Sequence, residues 1–375
     1  MKKLFIITGE YSGDRHAADV VREIKKLNPS IEIEAVGGQN LAKEGVKLYC
    51  DHSKMSAMGF NFKIIMTHLR LGEQIAKYLK EEYKPDMVLM VDYGGFNLNL
   101  SKVISKFGFK IYYYIPPQIW ASRKWRLNTV RNNIDKVLTI FPFEKDMYEK
   151  ADVNVEFVGH PLLNEIPPAT NRDKLFEENN FDKNKKLISI FPGSRKFEIN
   201  NLLTLFLDSA RIIKSKTGNV QFALAQAPSI KDEQINSVLE KYKDLNITVL
   251  KNKNYELLSG SDTLILASGT VALEAAIYHT PMIISYRGPW ILYMIYLLVR
   301  CIKRVSLPNI IMNEDIVPEL IQLKANPHII AENIIKLTNN EECRNKMIES
   351  LKNVKQKLQL SAAAEKTAQI IVNNI

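Results

Sequence analysis

The 375-residue chain is long enough for two domains with full hydrophobic cores, and its 46% hydrophobic and 25% charged residues exclude a disordered or low-complexity protein. Its 51 Lys and Arg against 41 Asp and Glu give a net charge of +10, which suits an anionic membrane face, phosphorylated small molecules or nucleic acid. No zinc-finger spacing or basic tail supports the last of these. Cys50, Cys301 and Cys343 are far apart and odd in number, which excludes a disulfide framework or cysteine metal cluster and points to a reducing cytoplasm.

"MKKLFIITGE" has too short an apolar stretch for a signal peptide and reads as a first strand. In "GEYSGDRHAA", two glycines let the backbone turn, Gly13 being free to take positive φ, and Ser12 or Asp14 can cap a helix through "HAADVVREIKKL". Glu10, Ser12, Asp14 and His16 thereby gather at the carboxyl end of a strand, where open α/β sheets bind ligands. The plainer alternative is a turn and a helix cap. The runs "LFIIT", "IEIEAVG", "DMVLMVD", "KIYYYIPP", "KVLTIF" and "VEFVGHP" alternate with helical stretches, as parallel βαβ units require. "HPLLNEIPPATNRDKLFEENNFDKNKK" reads as a linker. A second alternation follows in "KLISIFPGSR", "VQFALAQAP", "ITVLKN", "DTLILAS" and "PMIISY", and two helical segments end the chain. The expected fold is α/β, with two Rossmann-like doubly wound domains facing a cleft. They span 1–165 and 166–345, and C-terminal helices occupy 346–375, packed on the N-terminal domain or exchanged in a dimer.

Two strand-to-helix loops carry phosphate-type chemistry. "FPGSR" puts Pro192, Gly193, Ser194 and Arg195 before a helix, where backbone amides attract phosphate and the guanidinium adds a charge-assisted contact. In "ASGTVALE", Ser268, Gly269 and Thr270 open a helix, and Glu274 can accept hydrogen bonds from both hydroxyls of a ribose. The alternatives are a solvated Arg and an ordinary cap with an exposed Glu. Neither loop matches G-x-G-x-x-G or G-x-x-x-x-G-K-[ST], which argues against a nicotinamide dehydrogenase and an NTPase.

Taken in order, the motifs resemble the lipid-A-disaccharide synthase family, inverting glycosyltransferases of the two-Rossmann-domain (GT-B) type. The resemblance runs through "GEYSGDRHAA", "AVGG", "SAMGF", "VDYGGFN", "YYIPPQIWA", "FPFE" and "FVGHPL". It continues through "FPGSR", "ASGTVALE", "PMIISYR" and "SLPNIIMNEDIVPELIQ". It implies transfer of 2,3-diacylglucosamine from its UDP derivative to 2,3-diacylglucosamine 1-phosphate, giving a β-1,6-linked disaccharide 1-phosphate and UDP. It also places Asp92 at the family's essential aspartate, and Arg195 and Asn309 at nucleotide-binding positions. The chain departs from the family at Gly94 and Gly95, where a Pro and a second acid are usual, and in "PPQIWAS", which lacks a second aromatic. The alternatives are another GT-B enzyme acting on UDP-N-acetylglucosamine, whether a lipid-acceptor transferase or a 2-epimerase, and, in a different class, a basic nucleic-acid-binding protein.

Displacement at an anomeric carbon needs a base and stabilisation of the departing diphosphate. Asp92, just beyond "DMVLMV", suits the base, with His16 as second choice; the plainer role for each is structural. Glu10, Ser12, Asp14, Asn97 and Gln118 are assigned to the acceptor side. No metal or other cofactor is expected. "PWILYMIYLLVRCIKRV" is too short to span a bilayer but suits one lying in an anionic inner-membrane surface, through Trp290, Leu292, Ile295, Arg300, Lys303 and Arg304. "MGFNFKIIMTHLRL" is a second such stretch; the alternative for both is a buried helix or a dimer interface. The expected location is cytoplasmic, peripheral to the inner membrane.

Overall fold

The computed structural model describes residues 1–51, 62–121, 123–290, 293, 294, 297, 303–358 and 362–375. They form two compact units, Met1–Pro161 with Leu358–Ile375, and Leu162–Lys357. Each is built on one parallel sheet.

In unit 1 the strands are β1 (Lys3–Ile7), β2 (Glu32–Gly37), β3 (Lys47–Asp51), β4 (Met87–Val91), β5 (Lys110–Tyr114), β6 (Lys136–Thr139) and β7 (Val155–Phe157). Their order is β3-β2-β1-β4-β5-β6-β7, so the chain winds outward from β1 and then returns to its other side at β4. That reversal is a topological switch point, where the loops after β1 and β4 diverge and leave room for a ligand. β4, "MVLMV", is wholly buried, because helices cover both faces of a parallel sheet. Helix Tyr11–Leu27 presents Ala17, Val20, Val21 and Ile24 as one apolar stripe. Each large aliphatic side chain so buried contributes about 1.5–3 kcal/mol. The last helix, Ala363–Asn374, packs on Tyr11–Leu27, and Lys366 donates to the Phe157 carbonyl at 2.8 Å.

Unit 2 contains β8 (Lys186–Phe191), β9 (Val220–Gln226), β10 (Thr248–Lys251), β11 (Thr263–Ala267), β12 (Met282–Tyr286) and β13 (Glu319–Ile321), in the order β10-β9-β8-β11-β12-β13. Counted from β8, this repeats the winding of unit 1, with its switch point between β8 and β11.

Three features differ from expectation. β3 and β13 are absent from the predicted strands: both are short edge strands with partly exposed residues, so the continuous apolar run that marks an inner strand is missing. The presumed linker is folded into unit 2. Leu175 and Phe176 are buried, and Arg172 reaches Asp262 at 2.5 Å and the Gly260 carbonyl at 2.7 Å. Finally, residue 346 lies inside helix Glu341–Leu358, and the chain re-enters unit 1 only at Leu358.

Candidate functional site

The unit 1 switch point is crowded and tightly held. Asp92 and Tyr93 both lie in the left-handed region, at φ +52° and +54°, a costly conformation for side chains of this size. Three bonds fix Asp92: its N–H donates to the Tyr114 carbonyl at 3.1 Å, and its own carbonyl accepts from Asn97 Nδ2 and the Tyr113 hydroxyl, each at 2.8 Å. Its carboxylate accepts the Tyr93 N–H. Burial pushes the Asp92 carboxyl above the usual carboxylate range, while the Tyr93 N–H and the nearby His16 pull it back. Tyr93 in turn lies over Gly9, where a Cβ would come 2.1 Å from the ring, so only glycine fits there.

Glu10 and Ser12 are exposed beside this loop, and Gln118 is exposed on the segment after β5. Other assignments change. The helix begins at Tyr11 with Glu10 at its N-cap, so neither Ser12 nor Asp14 caps it, and Gly13 is helical rather than at positive φ. Asp14 is fully buried and accepts the N–H groups of Gly38 (2.6 Å) and Asn40 (2.9 Å), together with Asn40 Nδ2 (2.9 Å). It ties the turn after β2 and is spent before any acceptor sugar arrives. Asn97, also fully buried, supports the Asp92 backbone instead of facing an acceptor.

In unit 2 the two phosphate-type loops share one cavity of about 430 Å³. Gly193, Ser194 and Arg195 line one side; Ser268, Gly269, Thr270 and Glu274 line the other. Gly193 has φ +111°, and a Cβ there would meet the Glu198 carboxylate at 2.3 Å. Glu198 went unnoticed in the sequence, although a Glu three residues after the N-cap is a helix-start signal. It accepts the N–H groups of Ser194 (2.8 Å) and Arg195 (3.1 Å). Those amides are therefore occupied, contrary to expectation, which leaves the Arg195 side chain as this loop's candidate phosphate contact. That side chain is 82% exposed and only loosely paired with Glu198, at 3.9 Å. Burial raises the Glu274 carboxyl, and the neighbouring Glu165 raises it further. Hydrogen bonds from neutral hydroxyls would relieve that carboxylate.

Asn309 is outside this cavity. It is 1% exposed: its Nδ2 donates to Val317 and Glu319, and its Oδ1 accepts from Ile316 and Val317. The loop it braces leaves its amide no capacity for a nucleotide. Among the proposed membrane contacts, Trp290 is 54% exposed and edge-on to Tyr293, and Lys303 is exposed. Arg304 is instead bound to Asp315 and Asn313, both at 2.7 Å. Leu292, Ile295 and Arg300 lie outside the described residues, as do residues 58–61 of the second apolar stretch. No helix among the described residues is long and apolar enough to cross a membrane.

Two further side chains escaped the sequence reading. His68, in helix Phe62–Tyr78, shares a 2.6 Å hydrogen bond with the Tyr93 hydroxyl. Glu144 of "FPFE" is buried, accepts Trp120 Nε1–H at 3.0 Å and the Phe141 N–H at 3.3 Å, and is pushed by burial up to about 7. It pins "PPQIWA" to "FPFE".

The family described as lipid-A-disaccharide synthetase matches residues 4–372. A lipid-A-disaccharide synthase of Syntrophus aciditrophicus (strain SB) is 34% identical over 370 residues, covering 98% of this chain and 96% of the relative. One from Nitrosococcus oceani is 34% identical over 365 residues, covering 96% and 93%. The solved structure of UDP-GlcNAc 2-epimerase from Neisseria meningitidis bound to UDP-GlcNAc matches with a TM-score of 0.61 at 14% identity, covering 100% of this chain and 99% of that one. This last likeness is one of fold, the GT-B type.

Proposed function

The chain belongs to the lipid-A-disaccharide synthetase family, and we propose that its two switch points divide the family's reaction between them. The reaction moves a 2,3-diacylglucosamine unit from UDP to 2,3-diacylglucosamine 1-phosphate. It forms the β-1,6 bond and releases UDP; epimerisation of the soluble sugar nucleotide is not favoured. Unit 2 holds the donor. Arg195 neutralises the diphosphate, the Ser268–Thr270 loop offers small polar groups beside it, and Glu274 accepts from the ribose hydroxyls. Unit 1 supplies Asp92, which takes the proton of the attacking hydroxyl as the C–O bond to the anomeric carbon forms and the bond to UDP breaks. His16 lies close enough to favour the Asp92 carboxylate electrostatically and is the second candidate for that proton.

The observation that carries this reading is the single cavity lined by Arg195, Ser268, Thr270 and Glu274, the last three at least 73 positions beyond the first in sequence. Incubation with UDP-2,3-diacylglucosamine should release UDP and give a disaccharide only when the monosaccharide 1-phosphate is present. UDP release without the acceptor would contradict a transferase.

Both substrates carry acyl chains, and the same reading places the protein at an anionic membrane surface. Support comes from Trp290, from Met294 at 54% exposure and from exposed Lys303. Trp290→Ser with Lys303→Ser should weaken sedimentation with anionic vesicles; unchanged binding would return this segment to a purely structural role. A homodimer that exchanges helix Ala363–Asn374 would keep its contact with Tyr11–Leu27, and light scattering tests it.

A further inference from the structure

We propose that Tyr93 and His68 form a clamp that positions Asp92, an inference that rests on Asp92 being the base. Three elements meet at the Tyr93 ring: it covers Gly9 after β1, follows Asp92 after β4, and reaches helix Phe62–Tyr78 through His68. Phe96 closes the cluster, with ring centroids 5.4 Å from Tyr93 and 6.0 Å from His68.

The backbone gives the reason for a clamp. Two successive left-handed residues cost about 1–3 kcal/mol each and persist only where their surroundings impose them. Asp92 is held by bonds to its own N–H and carbonyl, from Tyr113, Tyr114 and Asn97. The Tyr93 backbone is held as well, its carbonyl accepting the Phe96 and Asn97 N–H groups at 3.2 and 3.1 Å, and its side chain adds two restraints, at the ring and at the hydroxyl. Tyr93 lies one peptide unit from the Asp92 Cα, so releasing its side chain lets the carboxylate swing and take up water. His68 touches no substrate in this scheme; it is a positioning residue, and so is Tyr93.

The test is a double-mutant cycle on kcat. Tyr93→Phe keeps the ring over Gly9 and removes the hydrogen bond, and His68→Ala removes it from the other side. One hydrogen bond corresponds to roughly a three- to tenfold loss, so each variant should lose that much kcat with UDP affinity unchanged. The double variant should be no worse than either single one, and His68→Gln should recover part of the loss. Gly9→Ala, which drives the ring out, should cost at least as much. The acid limb of kcat should also move to lower pH, because water reaches a carboxyl that burial had raised. His16, Tyr93 and Tyr113, which face that carboxyl, and Glu10 beside Tyr93 all remain in His68→Ala.

Full activity with an unmoved pH profile in Tyr93→Phe, or losses that simply add, would overturn the clamp. If Tyr93→Phe melts early, His68→Gln and His68→Ala read the same bond. An active Asp92→Asn enzyme would instead overturn the reading of the base, which separates the two failures.

Discussion

The loops after β4 and β11 occupy matching places in two sheets of the same winding, yet one carries Asp92 and Tyr93 and the other Ser268 and Gly269. In unit 1 the residues are bulky, left-handed and bonded on all sides, and the result is one carboxylate in a fixed place. In unit 2 they are small, and the result is an open cavity of about 430 Å³, the one proposed for the donor. The loops after the first strands differ in the same sense. Gly9 makes way for the protein's own Tyr93, whereas the FPGSR turn ties its amides to Glu198 and leaves the Arg195 side chain free to reach a ligand. Proton transfer needs a group that does not wander; donor binding needs room and mobile charge. One topology serves both because the switch point fixes only where the loops are, and side-chain size decides what they do.

The largest effect should come from breaking the rigid side. Asp92→Asn keeps size and removes basicity, so kcat should fall by about 10²–10⁴-fold with the melting temperature preserved. His16→Ala in the same assay should lose less; a greater loss would move the base to the histidine. Because burial raises the Asp92 carboxyl, the acid limb of kcat should lie above the range of an exposed aspartate, activity being lost as pH falls and the base is protonated.

A smaller effect separates support from chemistry. Asp14→Ala leaves the N–H groups of Gly38 and Asn40 without their acceptor, a cost of about 1–3 kcal/mol. The melting temperature should drop while kcat of the folded enzyme stays close to wild type. A large kcat loss in a stable Asp14→Ala protein would restore this residue to the acceptor side.

The smallest concerns Glu144. The native state holds its proton more tightly than the unfolded chain does, since burial raises its carboxyl to about 7 against the pull of the Trp120 and Phe141 N–H groups. Stability from this group is therefore greatest at low pH and declines as pH rises from the ordinary glutamate range to about 7. Glu144→Gln removes the decline. Its melting temperature relative to wild type should rise between about pH 5 and pH 8, and a flat difference would show that the group does not titrate there.

Much of this architecture is written locally. Runs such as "MVLMV" and "TLILA" are apolar throughout because both sheet faces are covered, and glycines mark the turns that follow them. The positions of Asp92 and Arg195 just after strands, and of Glu274 in the first turn of the helix after β11, were readable for that reason. What a polar side chain binds is decided elsewhere in the chain. Asp14 reads as a cap until Gly38 and Asn40 arrive from the turn after β2, and Asn309, which the family resemblance places at the nucleotide, is taken up by Val317 and Glu319. His68 sits in a stretch that looks like an apolar surface helix, and its partner comes 25 residues later. Glu198 is the exception: its spacing from the helix start was local and legible.

The division between a fixed base and an open donor site is tested most directly by titrating UDP calorimetrically into Asp92→Asn and Arg195→Ala side by side. Asp92→Asn should bind UDP as the unmodified protein does. Arg195→Ala, losing a charge-assisted contact of about 1.5–3 kcal/mol, should bind roughly tenfold more weakly or worse, with an unchanged melting temperature. Equal losses in the two variants, or a loss confined to Asp92→Asn, would contradict the division.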